Sequence, residues 1–192
     1  MDLHGWVKQQ HFVSHLVLER EVIARLDHAQ MRTRTPEGGN SVAWLVWHVS
    51  RCEDVAVNAI VRGEPQVLAS PEWRARLAAE SEQIGAGMSD DEVTGLSTAI
   101  DLGALLDYRE AVRDATSRWI DTIAPAALDE VPDLDARLAA AGRLWPEAGA
   151  WVRDMWQPWP ASLFLNWVAI GHTLMRIGEM RTTMTRLGVT VR

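Results

Sequence analysis

Apolar residues recur at spacings of three and four along four long stretches of this 192-residue chain. That spacing is typical of helices that bury one face and expose the other. Capping residues, glycine or proline bound the stretches, which cover about residues 3–31, 41–62, 101–123 and 162–187. No strand-like alternation of any length is present. The pattern predicts an all-α four-helix bundle, with residues 1–192 forming one domain.

Two of these stretches carry a histidine in the middle of the apolar face. Residues 41–60 read SVAWLVWHVSRCEDVAVNAI, and helical spacing aligns Leu45, His48, Cys52, Val55 and Ala59. The last stretch likewise aligns Leu165, Val168, His172, Met175 and Glu179. A buried imidazole needs a polar partner, which can be a side chain, a water or a metal. Because bundle sites are built from facing helices, we expect His48 and His172 to face each other across one cavity.

The connections between the long helices are irregular. Residues 63–100 predict a short helix from Pro71 through Leu77 and Glu80, followed by a polar turn at residues 85–91. Residues 124–161 contain five prolines and four tryptophans and read as an insertion before the last helix, with a short helix at Leu134–Ala141. The insertion is either the wall or lid of a pocket or plain packing, and both interpretations stay open.

The composition of the chain limits which molecules and surroundings we expect for it. The chain has 19 basic and 26 acidic residues and a formal charge of −7, and no basic patch is visible, so we expect no nucleic-acid partner. The single cysteine, Cys52, allows no intramolecular disulfide, which fits a cytoplasmic protein. The apolar run Val42–Trp47 is far too short to span a bilayer, and the first residues lack the apolar core of a signal peptide, so we expect no membrane association.

His48 and His172 are the candidate metal ligands, but two histidines make an incomplete site. A zinc-type catalytic site usually has three protein ligands, and the position one turn after His172 is Arg176, which has no lone pair to offer. Cys52 and Glu179 are possible substitutes. The alternatives are that Cys52 is a small buried apolar residue and that Glu179 forms a salt bridge with Arg176 or Arg51.

A second histidine pair lies in the first stretch. His11 and His15 are spaced i, i+4, so they could chelate a metal on one helix face. Because the neighbouring positions are polar, we favour a solvated surface pair.

The segments WLVWHVSRCED and LNWVAIGHTLMRIGEM resemble the two histidine-bearing helices of the DinB-like family. That family includes mycothiol- and bacillithiol-dependent S-transferases and maleylpyruvate isomerase. The resemblance covers about two thirds of the chain and leaves residues 133–160 outside. It implies a four-helix bundle, often a homodimer, that uses a divalent metal, a low-molecular-weight thiol and a small-molecule substrate. It also implies metal ligands at the positions of His48, His172 and Arg176.

Two functional hypotheses follow. The first is a metal-dependent thiol S-transferase, using zinc or nickel, whose third ligand position is incomplete. The alternative is a non-enzymatic bundle that binds a small molecule or an anion, in which the Arg176 guanidinium holds a carboxylate or phosphate. Arg176 and Glu179 are therefore candidate cofactor-binding residues. A purely structural role for the two histidines stays open as a third interpretation.

Overall fold

The computed structural model describes residues 2–77 and 83–190, and within these ranges all regular structure is helical. The all-α prediction is confirmed. The α-helices are α1 (Leu3–Glu21), α2 (His28–Arg32), α3 (Val42–Glu53), α4 (Pro71–Leu77), α5 (Asp90–Ala99), α6 (Leu102–Ile120), α7 (Leu134–Ala141), α8 (Trp151–Met155), α9 (Ala161–Leu163) and α10 (Thr173–Arg186). A π-helical segment, π1 (Asp54–Arg62), continues α3, and a second, π2 (Phe164–His172), joins α9 to α10.

Four long elements form the bundle. Helix α1 lies beside α6 and α10, and α3 also packs between α6 and α10. All residues of α3 from Val42 to Glu53 are buried, so this helix runs through the centre of the core. The sequence predicts one buried face for this stretch, but α3 is buried on every side. The described helices include none that is long and apolar enough to cross a membrane.

Predicted caps explain the start of α3, the start of α6 and the end of π1. The Ser41 hydroxyl accepts a hydrogen bond from the Trp44 amide at 3.0 Å, and Asp101 caps α6 by accepting from the Ala104 amide at 2.7 Å. Gly63, at φ 64°, ends π1 in the left-handed conformation that glycine adopts without strain. Local sequence therefore fixes both ends of the central helix.

Capping boxes at Asp27 and Ser89 start two helices that the sequence did not predict as separate elements. The first stretch is not one helix, because α1 ends at Glu21 and Asp27 begins α2 through a reciprocal cap with Gln30. The predicted polar turn is present at residues 85–89, but residues 90 and 91 belong to α5, since Ser89 and Glu92 form the same kind of cap at its start. The predicted extension of α4 to Glu80 lies outside the described residues.

The Trp/Pro-rich insertion packs onto the bundle near the end of α3. Helix α7 has the predicted bounds, Leu134–Ala141, and lies against π1. Beyond it, Val152 and Trp156 are buried in one cluster with Cys52 and Phe164. The insertion therefore joins α3 and π2 on one side of the core.

Candidate functional site

His48 and His172 meet inside the bundle, as the sequence predicts. Their ring centroids lie 4.9 Å apart, with the ring planes at 82°. Both line a cavity of about 240 Å³, together with Cys52 and Arg176. The prediction that the two imidazoles face one cavity is confirmed.

Aromatic side chains form much of the cavity wall. The lining includes Trp44 from α3, Trp167 from π2, and Trp151, Met155 and Trp156 from the insertion. The insertion thus contributes directly to a pocket wall, which favours that interpretation over plain packing. A larger cavity of about 370 Å³ lies beside Gly63 and Arg137, but no histidine or cysteine lines it.

His48 is held in one orientation from two sides. Its Nδ1–H donates to the Ile84 carbonyl oxygen at 2.5 Å, and the Trp44 ring stacks on it at a centroid distance of 4.7 Å. This hydrogen bond leaves Nε2 with a free lone pair, as in metal sites where a carbonyl fixes the histidine tautomer. A Cβ on Gly85, which has φ 95°, would lie 2.8 Å from the Trp44 ring and 3.2 Å from His48 Nδ1. Glycine therefore allows the loop to bring the Ile84 carbonyl to His48.

Arg176 contacts the second imidazole directly. Its Nε–H donates to His172 Nε2 at 3.1 Å, and its Nη1 donates to Glu179 at 2.7 Å. The Asn40 side chain donates to the other Glu179 oxygen at 2.9 Å. Glu179 therefore forms the salt bridge with Arg176, while Arg51 bonds Asp54, Tyr108 and Gln66 elsewhere. The alternative of a salt bridge from Glu179 to Arg176 is the one observed.

Burial makes both imidazoles neutral at physiological pH. It lowers the pKa of His48 to about 4, with the nearby Arg176 charge adding to the effect against the hydrogen bond to Ile84. Burial, His48 and Arg176 together lower the pKa of His172 to about 2. Neutral imidazoles are the form that binds metals, and groups with such low pKa values are poor proton acceptors at neutral pH.

Cys52 lies close enough to join the two histidines. Its sulfur is 3.7 Å from His48 Nδ1 and 4.0 Å from His48 Nε2. One ligand atom each from His48, Cys52 and His172 lies within 4.8 Å of the others. The sequence favoured a plain buried residue here, and burial does raise the pKa of the Cys52 thiol to about 12. A coordinated metal would reverse that preference, because it stabilises the thiolate.

The donor set fits a zinc-type ion. Imidazole nitrogens and thiolates are both ligands of catalytic zinc sites, which have three protein ligands and one open position, and the aromatic cavity provides the open side. Arg176 disfavours binding of a cation, because it donates a hydrogen bond to the His172 Nε2 lone pair and adds a positive charge. Glu179 partly neutralises that charge.

Two other predictions about these helices are wrong. His11 and His15 are not a solvated surface pair, since they are 1% and 5% exposed and both contact Glu53 of α3. Met175 is not part of a buried stripe with His172 but is 51% exposed. The wider turn of π2 shifts the register between Val168 and Met175, so spacings that assume a regular α-helix fail there.

The family model described as DinB superfamily matches residues 16–155, well over half of the chain. The chain belongs to the DinB superfamily. The matched range includes residues 133–155 of the insertion, which the sequence had placed outside the resemblance, and it ends before the helix of His172. No curated protein matches the chain.

The DinB fold is also found in a solved structure. The crystal structure of a conserved protein from Enterococcus faecalis superposes with a TM-score of 0.73 and covers 98% of this chain and 99% of its own. The two sequences are 20% identical, so the similarity establishes the fold and not the activity.

Proposed function

We propose that this DinB protein is a metal-dependent thiol S-transferase. It would join the sulfur of a low-molecular-weight thiol to an electrophilic carbon of a small, largely apolar substrate. The observation that carries the proposal is the convergence of His48, Cys52 and His172 in one aromatic-walled cavity, with ligand atoms within 4.8 Å of one another.

The three ligands have separate roles in this proposal. His48 presents Nε2 because Ile84 occupies its Nδ1, and His172 presents a lone pair once Arg176 turns away. Cys52 supplies the soft donor that favours zinc or nickel over magnesium or calcium. A bound divalent ion would lower the pKa of a coordinated substrate thiol and so supply a thiolate near neutral pH.

In this proposal the imidazoles of His48 and His172 bind the metal and do not accept the proton of the substrate thiol. As the substrate thiol loses its S–H proton, its sulfur forms a bond to the electrophilic carbon, and the leaving group departs with the electrons of the broken bond. The pKa values of His48, about 4, and His172, about 2, are too low for either ring to keep this proton at neutral pH. The proton therefore passes to solvent, and the Trp151 and Trp156 rings limit how much water surrounds the substrate.

Untagged protein loaded with zinc or nickel tests the proposal. A panel of low-molecular-weight thiols is supplied with an aromatic chloride as the electrophile, and thioether formation is followed. We expect His48→Ala and His172→Ala to abolish turnover, and the control variant His28→Ala, which changes an exposed residue, to retain it. Equal turnover by all forms, or none with any thiol, would exclude the activity.

A second candidate function is anion binding without chemistry. It is favoured by Arg176, which lines the cavity and whose guanidinium is fixed by His172 and Glu179. In that case small carboxylates or phosphate would raise the melting temperature of the native protein and not of Arg176→Gln. A rise in both forms, or in neither, would contradict it.

We also propose that the protein is a homodimer, as the family resemblance implies. Seven of the ten large apolar side chains that are exposed in the described residues lie on α1, π2 and α10: Leu3, Trp6, Phe12, Val13, Trp167, Leu174 and Met175. Helix α1 packs beside π2 and α10, so these side chains lie on neighbouring helices. A second copy of the chain would cover them.

A further inference from the structure

A second group of metal-ligating side chains lies between α1 and α3, away from the cavity. The Glu53 carboxylate bridges two imidazoles, with Oε1 2.8 Å from His11 Nε2 and Oε2 3.0 Å from His15 Nε2. The three side chains are between 1% and 5% exposed, and none of them lines the cavity of His48. We call His11, His15 and Glu53 the α1–α3 cluster.

The buried carboxylate of Glu53 is paired with two histidines, which carry a positive charge only when they are protonated. Residues 2–77 and 83–190 place no lysine or arginine in an ion pair with it, and its partners are the two imidazoles. The buried Arg109 is near enough for its charge to interact with Glu53, but it donates its hydrogen bonds to Glu19, Glu110 and the His15 carbonyl oxygen. A carboxylate buried to this degree needs a positive partner, which is either a proton on an imidazole or a cation.

We propose that the α1–α3 cluster binds a divalent transition-metal ion of the zinc class. Two histidines and one glutamate are an established zinc ligand set, and their ligand atoms already lie within 4.8 Å of one another. The ion would replace the hydrogen bonds from the Nε2 atoms to the carboxylate, and the remaining proton of each neutral ring would move to Nδ1. Because the cluster is buried, the ion serves to fix α1 against α3 and does not reach a substrate.

Burial also sets how the ion enters. A closed site in the interior of the bundle is filled as the bundle folds, so binding free energy adds to folding free energy. Metal content is therefore measured after refolding in the presence of the ion. The variant His48→Ala/His172→Ala removes the cavity ligands, so that any ion it retains belongs elsewhere.

Cobalt distinguishes the two sites spectroscopically. The untagged double variant is refolded with Co²⁺ and dialysed, and its cobalt content and visible spectrum are recorded. We expect one ion per chain, with ligand-field bands but no thiolate-to-cobalt charge-transfer band, because the α1–α3 cluster contains no sulfur. In the native protein, a charge-transfer band shows that cobalt is bound at the Cys52 cavity. Loss of metal binding at one site can therefore be told apart from loss at the other.

Changes within the cluster complete the test. In the double variant, Glu53→Gln and His15→Gln each remove one ligand. Outer-shell partners alone are worth about 10- to 100-fold in metal affinity, so we expect a loss of at least that size. If Glu53→Gln does not fold, His15→Gln and the cobalt spectrum still decide. A double variant that folds without cobalt, and whose melting temperature is unchanged by zinc, would overturn the proposal and leave an imidazolium–carboxylate pair.

Discussion

Arg176 is the residue with the largest influence on what the cavity can bind. It lies one turn after His172, donates to that imidazole and carries a charge that Glu179 only partly neutralises. In a partly buried site, where screening by solvent is weak, a guanidinium this close to a bound cation lowers its affinity. The same guanidinium improves the cavity for an anion.

We expect Arg176→His to bind a divalent ion at least about tenfold more tightly than the native chain, because it removes the charge and adds a ligand. Titration with Co²⁺ of untagged protein, followed at the thiolate-to-cobalt band, measures the cavity alone. Arg186→His, an exposed arginine on the same helix, is the matched control and should leave the affinity unchanged. Equal affinities of the native chain and Arg176→His would show that the geometry, and not the missing ligand, limits binding.

A second residue-scale prediction concerns Tyr108, the single tyrosine of the chain. Its hydroxyl donates to Asp54 at 2.6 Å and lies 3.0 Å from the Arg51 guanidinium in the fully buried network beneath α3. Burial raises the pKa of Tyr108 well above its ordinary value, and Asp54 adds to the shift although Arg51 opposes it. The folded protein should therefore keep this phenol neutral at a pH where an unfolded chain ionises it.

The sign of the pH effect follows from that shift. The unfolded chain releases the phenol proton near its ordinary pKa, about 10, so folding stability is unaffected below that pH and falls above it. A spectrophotometric titration should show no tyrosinate until the protein unfolds. Tyr108→Phe supplies the baseline, since no other residue gives this signal. Tyrosinate in still-folded protein near pH 10 would contradict the buried network.

At the level of helices, local sequence signals predict where the elements begin and end, whereas features set by tertiary partners could not be predicted. The caps at Ser41 and Asp101 and the stop at Gly63 are contained in a few adjacent residues, so they could be located from the sequence. The burial of His11 and His15 could not, because their partner Glu53 belongs to a helix about forty residues away. The π2 turn was also invisible, since it breaks the periodicity by which the buried face was assigned.

The candidate site likewise has features that the sequence predicts and one that it missed. The convergence of His48 and His172 followed from two apolar stripes with one histidine each. The Ile84 carbonyl was missed, because a backbone acceptor leaves no mark on residue type. Gly85 and Gly87 were a signal that could have been used, since paired glycines often mark a close approach of the backbone.

The insertion contributes Trp151 to the cavity wall, and this contribution can be tested. Trp151 lines the cavity although it is 57% exposed, so its ring can contact a ligand without supporting the core. We expect Trp151→Ala to weaken binding of the fluorescent apolar anion anilinonaphthalene sulfonate by about 1 kcal/mol, roughly fivefold, without lowering the melting temperature. Trp6→Ala, which removes a ring of similar exposure on α1, should not alter the affinity. An unchanged affinity in Trp151→Ala would remove the insertion from the binding site.

At the scale of the whole molecule, the fold and the activity rest on different grounds. Superfamily membership and a structural relative of nearly equal length establish the bundle. The proposed activity depends on a few side chains in one cavity, and Arg176 is the position at which this chain departs from the three-ligand pattern that the resemblance implies. One fold can therefore carry a complete metal site, a weakened one or an anion site, with changes at a single helix turn.

The last prediction concerns assembly. A stable protein interface buries roughly 800 Å² on each partner, and the exposed apolar side chains of α1, π2 and α10 are the part of the described surface suited to that. We expect the native protein to sediment as a dimer and the variant Phe12→Glu/Leu174→Glu to sediment as a monomer, because a carboxylate buried in an apolar interface is costly. Both side chains are exposed in the single chain, at 56% and 43%, so helicity and monomer folding should be retained. Val131→Glu introduces the same charge at a side chain that is also 56% exposed but lies in the insertion, and it should remain dimeric. A native monomer, or a dimer that survives both glutamates, would show that this face is not where two copies meet.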